Sequence, residues 1–138
     1  MPQPSTAKMV VMGVAGSGKT TLGRGLAAPL QADFLDADDF HTPQARARVV
    51  LACSALRRAY RDVLRVGPVH FIFLDLPEEV LWTRLLERQG HYAGTGLLAS
   101  QLATLERPTG AETDVITLVV GASSTPATLL ERALKALG

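Results

Sequence analysis

The chain has 138 residues, 47% hydrophobic and 20% charged, which fits one globular domain and excludes disorder as the main state. Lys and Arg number 14 against 13 Asp and Glu, a net charge of +1, a balance poorly suited to gripping nucleic acid through a general phosphate field. The single cysteine, Cys53, excludes a disulfide within the chain and fits a reducing compartment. The first eight residues lack the pattern of a secretory signal, and no apolar run is long enough to cross a bilayer; a cytoplasmic protein with no membrane partner is expected.

Lys8 to Met12 (KMVVM) is a short, continuous apolar run, the pattern of a strand buried on both faces. A Gly-rich turn follows. Lys19 to Leu30 reads as a helix with Leu22, Leu26 and Leu30 on one face, weakened by Gly23 and Gly25 and ended or kinked by Pro29. Phe34-Leu35 is a second strand, running into Asp36, Asp38 and Asp39. Val49 to Ala52 is a third. Ser54 is placed to cap a helix from Ala55 to about residue 66. His70 to Leu76 is a fourth strand, closed by Pro77, and Glu78 to Arg88 a helix. Gly90 to Gly96 is a break, Leu97 to Leu105 a helix, Ile116 to Val120 a fifth strand, and Pro126 to Leu137 a last amphipathic helix. Strands alternating with helices predict a three-layer α/β fold: a mainly parallel five-stranded sheet with helices on both faces, one domain over residues 1–138. Ligands then gather at the carboxyl ends of the strands.

Residues 13–20, Gly13-Val14-Ala15-Gly16-Ser17-Gly18-Lys19-Thr20, match G-x-x-x-x-G-K-[ST] in full, with a strand before and a helix after. Glycines let successive N–H groups point into one concavity, and the helix N-terminus adds its dipole to that anion site. Lys19 suits the β and γ phosphates of a nucleoside triphosphate, and the Thr20 hydroxyl suits Mg²⁺. The acidic residues Asp36 and Asp38 sit at i and i+2, so on an extended segment they point the same way. One such carboxylate can orient Mg²⁺ through water and the other can take a proton from an attacking hydroxyl; a solvated loop cluster is the competing reading.

Met12 to Thr20, then Phe34-Leu-Asp-Ala-Asp-Asp-Phe-His41 with Pro43, resemble the thermoresistant-type gluconokinases, P-loop relatives of shikimate and adenylate kinases. The resemblance continues in Cys53 to Asp62, Phe71 to Leu74, Arg88 to Tyr92 and Leu97 to Pro108. It implies a P-loop NTPase fold, ATP and Mg²⁺ as partners in the chemistry, and transfer of a phosphoryl group from ATP to gluconate. It assigns Asp38 to the acceptor hydroxyl and Asp36 to the metal. Arg57 and Arg61, four apart, then form a pair for the gluconate carboxylate or the transferring phosphoryl group, with a solvated basic face as the plain alternative. Arg84 is expected near the adenine and Arg88 at the phosphates, with residues 88–101 as a lid. His41 resembles a substrate-side histidine, although a loop or capping role fits it equally. A homodimer is also implied. Cys53 is expected to be a small buried residue and not a nucleophile, and Trp82 to be core.

The sequence departs from the family in one place: only residues 44–48 separate Pro43 from the third strand, where the family has a substantial acceptor-binding segment. A parallel crossover between strands two and three is not expected from so short a link. Two alternatives stay open beside gluconate phosphorylation: a sister kinase for another small hydroxyl acceptor such as shikimate, and a nucleotide-binding module without activity.

Overall fold

The structure, a computed structural model, describes residues 8–36, 48–65, 67–89, 95–121 and 123–138. Along the chain run β1 (Lys8–Met12), α1 (Lys19–Ala27), β2 (Asp33–Asp36), β3 (Val49–Cys53), α2 (Arg58–Leu64), β4 (Val69–Asp75), α3 (Glu78–Gln89), α4 (Thr95–Thr104), β5 (Val115–Val119) and α5 (Pro126–Leu137). The five strands form one sheet in the order β2-β3-β1-β4-β5, and every neighbouring pair is parallel.

The apolar runs become central strands because each of their faces meets a core. In β1, Met9 and Val11 join Ile72 and Leu74 of β4 beneath Leu22 and Leu26 of α1 and Leu129 and Ala133 of α5. The alternate residues Val10 and Met12 join Phe71 and Phe73 on the opposite face, against Ala55 and half-buried Leu64 and Leu105. Burial on both sides leaves no polar face to show a period of two. Trp82 packs against the first of these cores, as expected.

Three sequence expectations change. Helix α1 stops at Ala27, three residues short of Leu30, because Pro29 has no N–H for the next rung and residues 28–31 close as a turn. The helix expected from Ala55 starts only at Arg58, with Arg57 in the capping position and Ala55 at φ 46°. Ser54 is therefore not its cap; the Arg58 N–H is met by Glu106 Oε1 at 3.1 Å, from far along the chain. Finally, β2 and β3 do lie side by side and parallel, Asp33 opposite Val49 and Asp36 opposite Ala52. The crossover counts from Asp36, not from Pro43, and residues 37–48 are about the dozen that a parallel connection needs.

Helix α5 keeps its predicted bounds. Thr125 Oγ1 accepts from the Thr128 N–H at 3.1 Å, Thr128 Oγ1 accepts from the Thr125 N–H at 2.9 Å, and Pro126 fills the first turn.

Candidate active site

The carboxyl ends of β1, β2 and β3 lie together. Register aligns Met12 with Cys53 across β1 and β3, and Asp36 with Ala52 across β2 and β3. Residues 13–18 curl between β1 and α1. Gly18 takes the N-cap position of α1 at φ 94°, a left-handed conformation that a side chain resists. Its position carries no side-chain cap, and the first turn of α1 holds no acidic residue, so the leading amides and the helix dipole are open to an external anion. Gly13 is held to glycine by space: a Cβ there would lie 2.5 Å from Ser17 Oγ. Ser17 is itself 1% exposed, and its hydroxyl has no hydrogen-bond partner among the described residues.

Thr20, on the first turn of α1, donates through Oγ1 to Asp36 Oδ2 at 3.1 Å. The contact brings together the hydroxyl and the carboxylate that sequence assigned to one metal. Both are hard oxygen donors, the set Mg²⁺ takes beside phosphate oxygens, so these two residues fit the ion. Cys53 reports the same convergence through its charges. Burial pushes its thiol up to about 11, the Lys19 ammonium opposes that rise, and the Asp36 carboxylate adds to it. A thiol so raised stays protonated at neutral pH and is a poor nucleophile, as its sequence context implied.

Beside the phosphate loop opens a cleft of ≈ 450 Å³. Its walls are Ser17, Gly18, Thr21 and Leu22 of the loop and α1, Arg84 and Glu87 of α3, and Ser124, Thr125, Pro126 and Leu129 at the start of α5. The Arg84 guanidinium also reaches the Gly16 carbonyl, at 3.4 Å. A flat cation, a proline and a leucine around a space continuous with the loop suit a planar base whose phosphates lie in the loop.

The Arg57–Arg61 pair does not survive as one face. Arg57 is exposed at the head of α2, whereas Arg61 is 1% exposed and turned inward. Its Nε and Nη2 hold Glu112 at 2.7 and 2.8 Å; its Nη1 donates to the carbonyls of Ala55 and Leu56, and Nη2 also to that of Glu106. Five bonds occupy the five N–H donors of a guanidinium, leaving none for a gluconate carboxylate. Arg61 is thus part of a structural clasp between α2 and the segment before β5.

Asp38 and His41 lie outside the described residues, as does the side chain of Arg88. Of the expected lid, α3 continues to Gln89 and α4 begins at Thr95, so Gly96 is helical and does not mark a break; residues 90–94 are outside the description.

One site residue was missed. Gln101 of α4 accepts the Ala15 N–H of the phosphate loop at 2.6 Å and donates from Nε2 to Ser54 Oγ at 3.3 Å. In sequence it falls only at the end of the expected lid and within the Leu97 to Pro108 resemblance; its contact with the loop has no local signal, since its partners stand 86 and 47 residues away.

The family model for shikimate kinase matches residues 15–52, the phosphate loop through β3. A probable gluconokinase of Schizosaccharomyces pombe is 35% identical over 159 aligned positions, a match covering 86% of this chain and 82% of that protein. The chain belongs to the gluconokinase family. The thermosensitive gluconokinase of Escherichia coli K12 is 33% identical over 78% of this chain and 75% of its own length. Among solved structures, a gluconokinase from Sinorhizobium meliloti superposes with a TM-score of 0.82 at 32% identity, over 99% of this chain and 93% of that one. The gluconokinase fold and the P-loop that anchors it are therefore those of this chain. The match to the S. pombe protein runs over 159 positions, more than the 138 residues present here, so that relative carries residues within the matched stretch that this chain lacks. No helix among the described residues is long and apolar enough to cross a membrane.

Proposed function

We propose that this member of the gluconokinase family transfers the γ-phosphoryl group of ATP to the terminal hydroxyl of gluconate, giving 6-phosphogluconate. The observation that carries the reading is the Thr20–Asp36 contact at the mouth of a complete phosphate loop, which gathers an anion cradle and a magnesium-type donor pair at one point. The names of the relatives supply the acceptor.

Phosphoryl transfer asks a protein mainly to position and to neutralise charge. The loop amides and the N-terminus of α1 hold the phosphate chain, and Lys19 places a compact cation against its outer end. Thr20 and Asp36 would hold Mg²⁺, which would supply further positive charge to neutralise the phosphates. Arg84 and Pro126 flank the base in the cleft beside the loop. Asp38 takes the proton of the attacking hydroxyl; His41 and Arg57 orient the sugar acid; Arg88 meets the phosphates as charge spreads over them.

The test is ADP release over a panel of sugar acids and shikimate, with nucleotide binding followed by calorimetry. Turnover on gluconate, at least tenfold faster than on the other acceptors, is the expected result. Turnover on a different acceptor alone overturns the substrate. The residues that the relatives carry and this chain lacks favour a second reading, a nucleotide-binding module without transferase activity. ATP binding with no turnover on any acceptor decides for it.

In the active enzyme, Asp38→Asn removes the proton acceptor and leaves the nucleotide contacts in place. Its kcat is expected to fall about 10²–10⁴-fold, the usual contribution of a general base. Its ATP affinity, read by calorimetry, stays within about threefold. An unchanged kcat moves the base elsewhere.

A further inference from the structure

We propose that Gln101 is a positioning residue for phosphoryl transfer: its amide pins the arch of the phosphate loop to the tip of β3 and so sets where the outer phosphate lies relative to the acceptor. The proposal deepens the reading of residues 13–20 as an ATP site and rests on it.

The orientation of the Gln101 amide follows from its partners. A backbone N–H can only donate, so the group facing Ala15 must be the side-chain oxygen, at 2.6 Å. That turns the NH₂ group to Ser54 Oγ, at 3.3 Å, which accepts. One planar group therefore spans two chain segments that the sheet has already brought side by side, the loop leaving β1 and the turn leaving β3.

The place of this bridge decides its role. In the order β2-β3-β1-β4-β5, Ser54 and Asp36 stand on one flank of the loop. The cleft lined by Arg84 and Pro126 opens elsewhere along the loop, and Gln101 is not part of its wall. Gln101 thus braces the loop on the flank of Thr20 and Asp36, away from the cleft lined by Arg84 and Pro126. Ala15 sits within the arch, ahead of the Gly18-Lys19 corner that begins α1. An amide held there by a side chain from α4 fixes the curvature of the arch without taking the helix-terminal amides from the phosphates. A shift of about 1 Å in reacting groups is enough to cost 10²-fold in rate, so a brace on the loop is read in kcat before it is read in affinity.

The experiment compares Gln101→Leu, which keeps size and loses both bonds, with Gln101→Glu, which keeps an oxygen for the Ala15 N–H and can accept from the Ser54 hydroxyl once that hydroxyl rotates. Gln101→Leu is expected to lower kcat on gluconate at least tenfold. Its ATP dissociation constant, measured by calorimetry, stays within threefold of wild type and its Tm within about 3 °C. Gln101→Glu is expected to recover most of kcat while its ATP KM rises, because a carboxylate now stands beside the phosphates. Amide hydrogen exchange of the ATP-loaded proteins supplies a readout that needs no acceptor: the Ala15 amide should exchange about tenfold faster in Gln101→Leu and return toward wild type in Gln101→Glu. A kcat within threefold of wild type in Gln101→Leu, a rate loss matched by lost ATP affinity or lost stability, or an unchanged Ala15 exchange rate overturns the proposal. If the wild-type protein transfers nothing to any acceptor, the activity reading fails, and the exchange rates alone decide for or against the brace.

Discussion

Lys19→Ala is expected to lower kcat/KM for ATP-dependent phosphorylation by about 10²–10³-fold, the loss typical of removing one charge-stabilising group from a transition state. The site has few ways to compensate. The first turn of α1 offers amides and a dipole but no other cation, and Arg84 is engaged with the Gly16 carbonyl and lines the cleft beside the loop. The charge of Lys19 already reaches Cys53 at the tip of β3, where Asp36 acts as well, so its field covers the point at which the loop and β2 meet. Stability should change little, because Lys19 belongs to neither of the apolar clusters that hold the sheet. A Tm within about 3 °C of wild type is expected. Lys19→Arg should restore only a small part of the rate, since a broad planar fork does not replace a compact ammonium in a tight turn. Coupled ADP release and thermal unfolding check both halves, and turnover above a tenth of wild type in Lys19→Ala removes the phosphate-loop lysine from the mechanism.

What the sequence made legible were features whose cause is local. KMVVM and HFIFLDL are strands because, apart from Lys8, His70 and Asp75 at or near their ends, their residues are apolar, and they occupy the centre of the sheet because a strand buried on both faces needs that pattern. The phosphate loop was readable from glycine and lysine spacing, and α5 from Pro126 and its apolar stripe. The features that escaped have partners far along the chain. The i, i+4 spacing of Arg57 and Arg61 says that two side chains share a helical face, but it requires the helix to include both; Arg57 lies in the capping position, and Arg61 turns toward Glu112, 51 residues on. Ser54 carried the chemistry of a cap, yet the positive φ of Ala55 delays the helix and Glu106 takes the capping role. Ser54 instead meets Gln101, a contact that no local rule encodes. The link between β2 and β3 was misjudged by counting from Pro43, when β2 already ends at Asp36.

The clasp around Arg61 carries the second large effect. Glu112 is 2% exposed at its side chain and binds Arg61 through both oxygens, while Arg65 reaches Glu112 Oε1 at 2.7 Å and Asp114 Oδ2 at 2.7 Å. Arg61→Ala leaves a buried carboxylate with one flanking cation in place of two, and takes the guanidinium donors from the carbonyls of Ala55 and Glu106, while the Leu56 carbonyl keeps the Glu106 N–H at 2.8 Å. Breaking a buried pair by removing one partner costs about 3–5 kcal/mol, a large part of a total stability of about 5–15 kcal/mol. Thermal unfolding should register a Tm lower by about 10–20 °C. Arg61→Lys should recover little of it, because three donors on a point charge cannot reproduce five in a fork. Acid unfolding follows from the same contacts. Hydrogen bonding to Arg61 is the largest cause that lowers Glu112 from 4.5 to about 2, with Arg65 adding to it against the cost of burial. A carboxylate depressed on folding contributes stability that is complete above its unfolded value and is lost as pH falls through its folded one. The contribution of Glu112, about 3 kcal/mol, should therefore be whole above about pH 4.5 and disappear toward pH 2. Arg61→Ala should flatten that acid limb, and urea unfolding between pH 2 and pH 6 measures it. The gluconate KM of the folded variant should stay within threefold of wild type, because all five donors of Arg61 are taken up by Glu112 and backbone carbonyls. A KM that rises tenfold at unchanged Tm would return Arg61 to the sugar acid.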